Sequence, residues 1–130
     1  MQKEFHYLSK KLWIIIGAIL AGLAVLIGAF GAHGLKAKVS HEDLEIFNTG
    51  VNYHMFHALA ILLMGAISFY LPHDIISVPA YFMFTGVVIF SGSLYLLVIT
   101  NLRWLGAITP IGGLCFIIGW FLFAYKVYQS

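Results

Sequence analysis

The sequence predicts an all-α membrane protein, an antiparallel bundle of four transmembrane helices, and three observations lead there. Hydrophobic residues make up 62% of the 130-residue chain and charged residues only 9%, against roughly a quarter charged in soluble domains. The mean hydropathy is +0.96, more apolar surface than a water-facing fold of this size can hide. The apolar residues also fall into four separate runs, each long enough to cross the hydrocarbon core, which takes about 20 helical residues.

Leu12 to Gly31 forms the first run, 20 residues without a charge. It follows Lys3, Lys10 and Lys11, the arrangement of a signal peptide. The run exceeds the ~7–15 residues of a signal-peptide apolar segment, and glycine and alanine recur along its whole length as in a packing helix. Val51 to Leu71 is the second run, 21 residues free of Asp, Glu, Lys and Arg. Ser40 followed by Asp43 is a helix-start pattern, because the serine can cap free N–H groups and acids favour the positive end of a helix. Leu44, Phe47 and Val51 continue at i, i+3 and i+7, so the second helix is expected to begin in water near residue 40. Pro79 to Thr100 and Trp104 to Tyr125 are the third and fourth runs, 22 uncharged residues each. Pro72-His73-Asp74 opens the turn before the third. The short Asn101-Leu102-Arg103 link makes the third and fourth antiparallel neighbours. Residues 1–130 therefore read as a single integral membrane domain, with no internal repeat.

Charge distribution gives a weak orientation. Lys3, Lys10, Lys11 and Lys126 lie on one side, and Lys36, Lys38 and Arg103 on the other. Four against three favours both termini in the cytoplasm. The net charge of +2 comes without a dense basic cluster, so nucleic acid is not the expected partner. The single cysteine, Cys115, excludes an intrachain disulfide and reads as an inert thiol in an apolar run.

Burial alone does not join helices in lipid; close backbone approach and interhelical hydrogen bonds do. In the first span Gly17, Ala21, Ala24 and Gly28, continued by Gly31, form a seam of small residues on one face. Helix packing is its ordinary reading, and a seam reserved for a flat ligand is the other. Gly106, Thr109 and Gly113 mark a second close-contact face in the fourth span.

Polar groups inside a bilayer are costly, so their positions carry information. They gather in four words: Gly28-Ala-Phe-Gly-Ala-His-Gly34, Tyr53-His-Met-Phe-His57, Ser91-Gly-Ser-Leu-Tyr95 and Thr109-Pro-Ile-Gly-Gly113. In an up-down-up-down bundle these share one half of the membrane. The resulting candidate cluster is His33, His54, His57, Ser91, Tyr95 and Thr109, with His33 at its rim. His54 and His57 share a helix face, and Tyr53 can stack over His57. Three readings stand. The imidazoles hydrogen-bond across the bundle to Ser91, Ser93, Tyr95 or Thr109; they serve a polar ligand or proton pathway; or they bind a metal with His33. The last lacks a nearby cysteine or carboxylate, since Glu42, Asp43 and Glu45 are two or more turns away, and no metal or other cofactor is expected. Pro110 has no N–H and its ring opposes the carbonyl of Gly106, so Pro110, Gly112 and Gly113 are expected to kink or break the fourth span. That is a simple proline kink or a broken helix of the transporter kind.

Together the stretches GAFGAHGLK, TGVNYHMFHALAIL, FSGSLYLLV and LGAITPIGGLCFIIGW resemble the YgdD/YwdK-like family of small four-helix membrane proteins, catalogued as a domain of unknown function. Their order covers nearly the whole chain from Trp13 to Trp120. The resemblance implies a bacterial multi-pass protein of the cell (inner) membrane, with related forms in eukaryotic mitochondria. It implies no established reaction, substrate or cofactor.

The expected function is that of a non-catalytic membrane protein, either a homo-oligomer or an accessory or assembly subunit of a larger membrane complex, with the lipid bilayer as its first partner. The alternative is a carrier or channel for a small polar solute, proton or metal ion using the one-sided cluster. Four helices enclose little room, however, and no acid lies within the spans. An intramembrane enzyme with Ser91 or Ser93 as nucleophile and a histidine base lacks a positioned third group, so no catalytic residue is assigned.

Overall fold

A computed structural model describes residues 1–130, which are 88% helical with no strand. Four helical rods are long and apolar enough to span a membrane. The first is α1 (Gln2–Phe30), prolonged by a π-helical turn over Gly31–Leu35. The second is α2 (His41–Ile67). The third joins α3 (His73–Gly86) to α4 (Gly92–Thr100) through a second π-helical turn, Val87–Ser91. The fourth begins as a 3-10 segment, Arg103–Ala107, and continues as α5 (Thr109–Gln129).

Local chemistry sets the ends. Ser40 is the N-cap of α2, its hydroxyl oxygen accepting from the Asp43 N–H at 3.1 Å. The rod stops at Ile67, four residues before the apolar run ends at Leu71, where Ser68 donates to the Gly65 carbonyl. Asn101 closes α4 in the left-handed conformation, φ 59°, a shape Asn tolerates better than most residues. Outside the spans, Arg103 forms a bidentate pair with Asp43, both N–O distances 2.7 Å, tying the third-to-fourth link to the start of α2. The guanidinium bonds hold the Asp43 carboxyl below its usual range, and the carboxylate raises Arg103 in turn.

The rods do not surround a pore. α1 packs almost entirely on α2, α5 packs on the third rod, and α2 meets that rod between them. The middle pair is accordingly more buried than the outer pair. The α1–α2 crossing is close. A Cβ on Gly17 would lie 2.5 Å from the Leu62 backbone N, and one on Gly65 2.7 Å from the Ile14 N. Nearer the other end Gly28 meets Val51 and Gly31 meets the Phe47 ring. Ala24 is buried and Ala21 half-buried on the same face. On α5, Gly112 lies so near the Phe90 backbone that a side chain there has no room.

Two apolar cores form. One holds Trp13, Ile61, Met64, Ile76, Met83 and Phe116, among others, towards the terminal side. The other holds Leu35, Phe47, Leu97, Val98 and Leu105 towards the opposite side.

Candidate functional site

The polar side chains lie in the layer between these two cores. His54 and His57 fall between Phe47 and Ile61 on α2. Ser91 and Ser93 fall between Val87 and Leu97 on the third rod, and Thr109 between Leu105 and Phe116 on the fourth. His54, His57, Ser91 and Ser93 are buried, Tyr95 and Thr109 half-buried.

The layer divides into three separate connections. In the first, the His54 ring Nδ1 is hydrogen-bonded to the Tyr95 hydroxyl at 2.9 Å. Gly50 makes this possible, because a Cβ there would come within 2.9 Å of the Tyr95 ring. Beside it Ser91 donates to the Gly50 carbonyl at 2.6 Å, a second link between the third rod and α2. In the second, the Ser93 hydroxyl donates to the Phe90 carbonyl at 2.9 Å and its oxygen lies 2.6 Å from Thr109 Oγ1, joining the third and fourth rods. In the third, His57 Nδ1–H donates to the Tyr53 carbonyl at 2.7 Å and its Nε2 accepts from the Trp120 indole N–H at 3.0 Å. A carbonyl only accepts and an indole only donates, so His57 is the neutral Nδ1–H tautomer with both nitrogens engaged. Its ring lies face to face with Phe116, centroids 3.5 Å apart, and Tyr53 stacks on it at 6.0 Å.

Several expectations are corrected by this geometry. His57 bonds to none of Ser91, Ser93, Tyr95 or Thr109. Its partner is Trp120, one turn beyond Phe116 on α5, which sequence reasoning missed. His33 is exposed in the π turn after α1 and makes no side-chain hydrogen bond, so it does not complete a histidine group. Neither serine is hydrogen-bonded to an imidazole. No three His, Cys, Asp or Glu side chains are grouped closely enough to hold a metal ion. The helix break falls before Pro110, at Ala107–Ile108, where the 3-10 segment gives way to α5. Pro110 sits in the first turn of α5, where its missing N–H costs nothing, while Gly112 and Gly113 are ordinary helix, and Gly112 lets α5 approach the third rod.

One polar atom of the layer, His54 Nε2 on a residue 4% exposed, makes no hydrogen bond of good geometry, although the Leu20 backbone of α1 faces the ring. The larger cavities lie elsewhere. The largest, about 680 Å³, is an open cleft beside the Asp43–Arg103 pair, bordered by Phe30, Lys38 and Ile99.

The family described as "Protein of unknown function (DUF423)" matches residues 27–113, which contain every polar residue of the layer except Trp120. The chain is 48% identical over 113 residues to UPF0382 membrane protein YwdK of Bacillus subtilis, covering 86% of this chain and 92% of that protein. It is 44% identical over 119 residues to a UPF0382 membrane protein of Staphylococcus aureus, covering 92% and 97%. A third relative, from Staphylococcus epidermidis, is 48% identical over 110 residues, covering 85% and 89%. No solved structure matches the chain. With two thirds of its length matched by the family and relatives aligned nearly end to end, the chain belongs to the DUF423 family of membrane proteins.

Proposed function

We propose that the protein is a non-catalytic component of the bacterial cell membrane, a homo-oligomer or accessory subunit that acts through its outward helix faces, with both termini in the cytoplasm. One observation carries this reading: all of the polar layer except His54 Nε2 is engaged in bonds within and between the rods. Ser91 and Ser93 hold a backbone carbonyl each, Thr109 holds Ser93, and both His57 nitrogens are occupied. The Ser91, Ser93 and Thr109 hydroxyl protons and both His57 nitrogens are thus engaged, which leaves hydroxyl lone pairs and His54 Nε2 as the unspent polar capacity of the layer. Beyond these, what the fold leaves available is surface, and the outer rods α1 and α5 bury little of theirs. The test is the mass of the protein solubilised mildly at native expression. An assembly larger than one chain is expected, and a lone monomer with no copurifying partner would overturn the reading.

A carrier or channel for a small polar solute, proton or metal ion has one observation in its favour, the His54 Nε2 buried at mid-depth without a hydrogen bond of good geometry. Flux into liposomes above background, abolished by His54→Phe, supports that reading; background rates across common cations and protons remove it.

A further inference from the structure

The outward face of α2 carries one polar residue, Asn52, where lipid should touch it, below a water-side stretch with Glu45 and Asn48. Glu45, Asn48, Asn52, Phe56, Leu59 and Leu63 recur at three- and four-residue intervals and are all exposed, so they form one stripe along the helix. Neither Asn48 nor Asn52 makes a side-chain hydrogen bond within the chain. Their depth follows from the α1–α2 crossing. Gly28 meets Val51 and Gly31 meets Phe47, which sets Asn48 level with Gly31 and Asn52 level with Ile27. Gly31 ends the apolar run of α1, so Asn52 lies four residues inside it, about 6 Å at 1.5 Å per residue. An amide just inside the hydrocarbon boundary, on a lipid-facing surface, bonds better to a polar partner than to lipid.

We infer that this stripe is the contact surface for a second copy of the chain, with two α2 helices side by side and parallel about a two-fold axis along the membrane normal. The inference rests on the reading of the protein as a membrane assembly component and names its partner. The argument is complementarity. An asparagine amide carries both a donor and an acceptor, so it is its own hydrogen-bonding complement. A two-fold axis along the normal brings Asn52 opposite the partner's Asn52 at the same depth without further design. A different protein would need a polar group placed independently at that level. Towards the water end Glu45 is exposed at the level where the helix stands in water, so its carboxylate stays solvated outside the membrane. Deeper in the bilayer Phe56, Leu59 and Leu63 supply apolar packing around the amides. A polar residue set in such a seam also fixes the register of paired helices.

The experiment is disulfide cross-linking in native membranes with Asn52→Cys in a Cys115→Ser background. Leu26→Cys, exposed at a similar depth on α1, is the control. Oxidation is expected to give a product of twice the 14.5 kDa chain for Asn52→Cys and none for Leu26→Cys. In liposomes, energy transfer between donor- and acceptor-labelled copies should show Asn52→Leu associating about threefold more weakly than the unmodified chain, and at most about eighteenfold, the average and the maximum for one interhelical hydrogen bond in a membrane. An Asn52→Cys product containing a different polypeptide would overturn the second copy while leaving an accessory subunit standing. No product at position 52 from a protein whose mass is that of an oligomer would overturn the face alone. A lone monomer with no cross-link would overturn both this inference and the function proposed above.

Discussion

Adding one methyl group to Gly17 should pry α1 from α2. A Cβ there would sit 2.5 Å from Leu62 N and 2.7 Å from both Leu62 Cα and Cβ. None of these is the end of a flexible side chain, so no rotamer change relieves the clash. Comfortable carbon contact begins near 3.5 Å, so the rods must separate by about 1 Å at the crossing. Overpacking of this kind costs about 1–3 kcal/mol. Gly65 contacts Ile14 at the same crossing, so the separation that admits the first methyl partly admits the second. Gly17→Ala and Gly65→Ala together should therefore cost less than the sum of the two. Gly22→Ala is the internal control, because nothing lies within 4 Å of its Cβ position. It is expected to change stability by less than about 0.5 kcal/mol. The assay is SDS-driven unfolding in mixed micelles followed by the fluorescence of Trp13, 4% exposed in the terminal-side core, with Trp104 and Trp120 replaced by Phe in every glycine variant compared. Unfolding of Gly17→Ala at the same SDS fraction as Gly22→Ala, or strict additivity in the double variant, would refute the close-packed crossing.

Three further outcomes are expected. Trp120→Phe leaves His57 Nε2 without its donor and His57→Phe leaves the indole N–H without its acceptor; in a double-mutant cycle by SDS-driven unfolding of the chain with Trp120 in place, the pair should couple by roughly 0.6 kcal/mol, the average for hydrogen bonds between membrane helices, and by no more than about 1.7 kcal/mol. Asp43 is held below its normal range by Arg103, so the pair's contribution is complete above the unfolded carboxylate value of about 4 and is lost as pH falls through the lower folded value. Protease cleavage in the 101–103 link should therefore be unchanged from pH 7 to pH 5 and accelerate only at stronger acidity, whereas Arg103→Gln should be cleaved faster at neutral pH and lose that acid dependence. Gly112→Ala, lacking room against the Phe90 backbone, should destabilise the packing of α5 on the third rod by about 1–3 kcal/mol, read as a lower SDS midpoint, while Gly106→Ala, whose Cβ would meet only Leu97 Cδ1 at an ordinary 3.5 Å, should not.

The parts of this fold that are legible in the sequence depend on one chain segment at a time. Four apolar runs of sufficient length announce four rods, and Ser40 with Asp43 marks the start of α2 because capping is local. The Gly17–Gly28 seam is visible as a periodicity within one helix. The pairing of polar residues is different, because it depends on how neighbouring rods are rotated about their axes. Tyr53 over His57 was readable, since both lie on α2. Trp120 against His57 was not, since 63 residues separate them along the chain. The π-helical turns at Gly31–Leu35 and Val87–Ser91 have no sequence signature of their own, and each advances the residues after it around the helix axis. Pro110 did carry a usable signal. Asn101, Gly106 and the preference of proline for the first helical turn together mark a new helix start; the uninterrupted apolar run from Trp104 concealed it.

The inner polar layer also bears on the outer face of α2. Apolar side chains between helices tolerate sliding and rotation, because dispersion contacts have little direction. Hydrogen bonds do not. Facing the third and fourth rods, α2 is held by three of them: Ser91 to the Gly50 carbonyl, His54 to Tyr95, and His57 to Trp120. Any rotation large enough to bring Asn52 inward would break all three at a depth where water cannot replace them. On a helix of 3.6 residues per turn, position 52 lies about 200° from position 54, so fixing His54 inward fixes Asn52 outward. The polar residues of this half of α2 thus lie on two surfaces with opposite roles. His54 and His57 face inward and set the rotation of α2. Asn48 and Asn52, earlier on the same helix, are turned by that same rotation towards whatever lies beside the protein in the membrane.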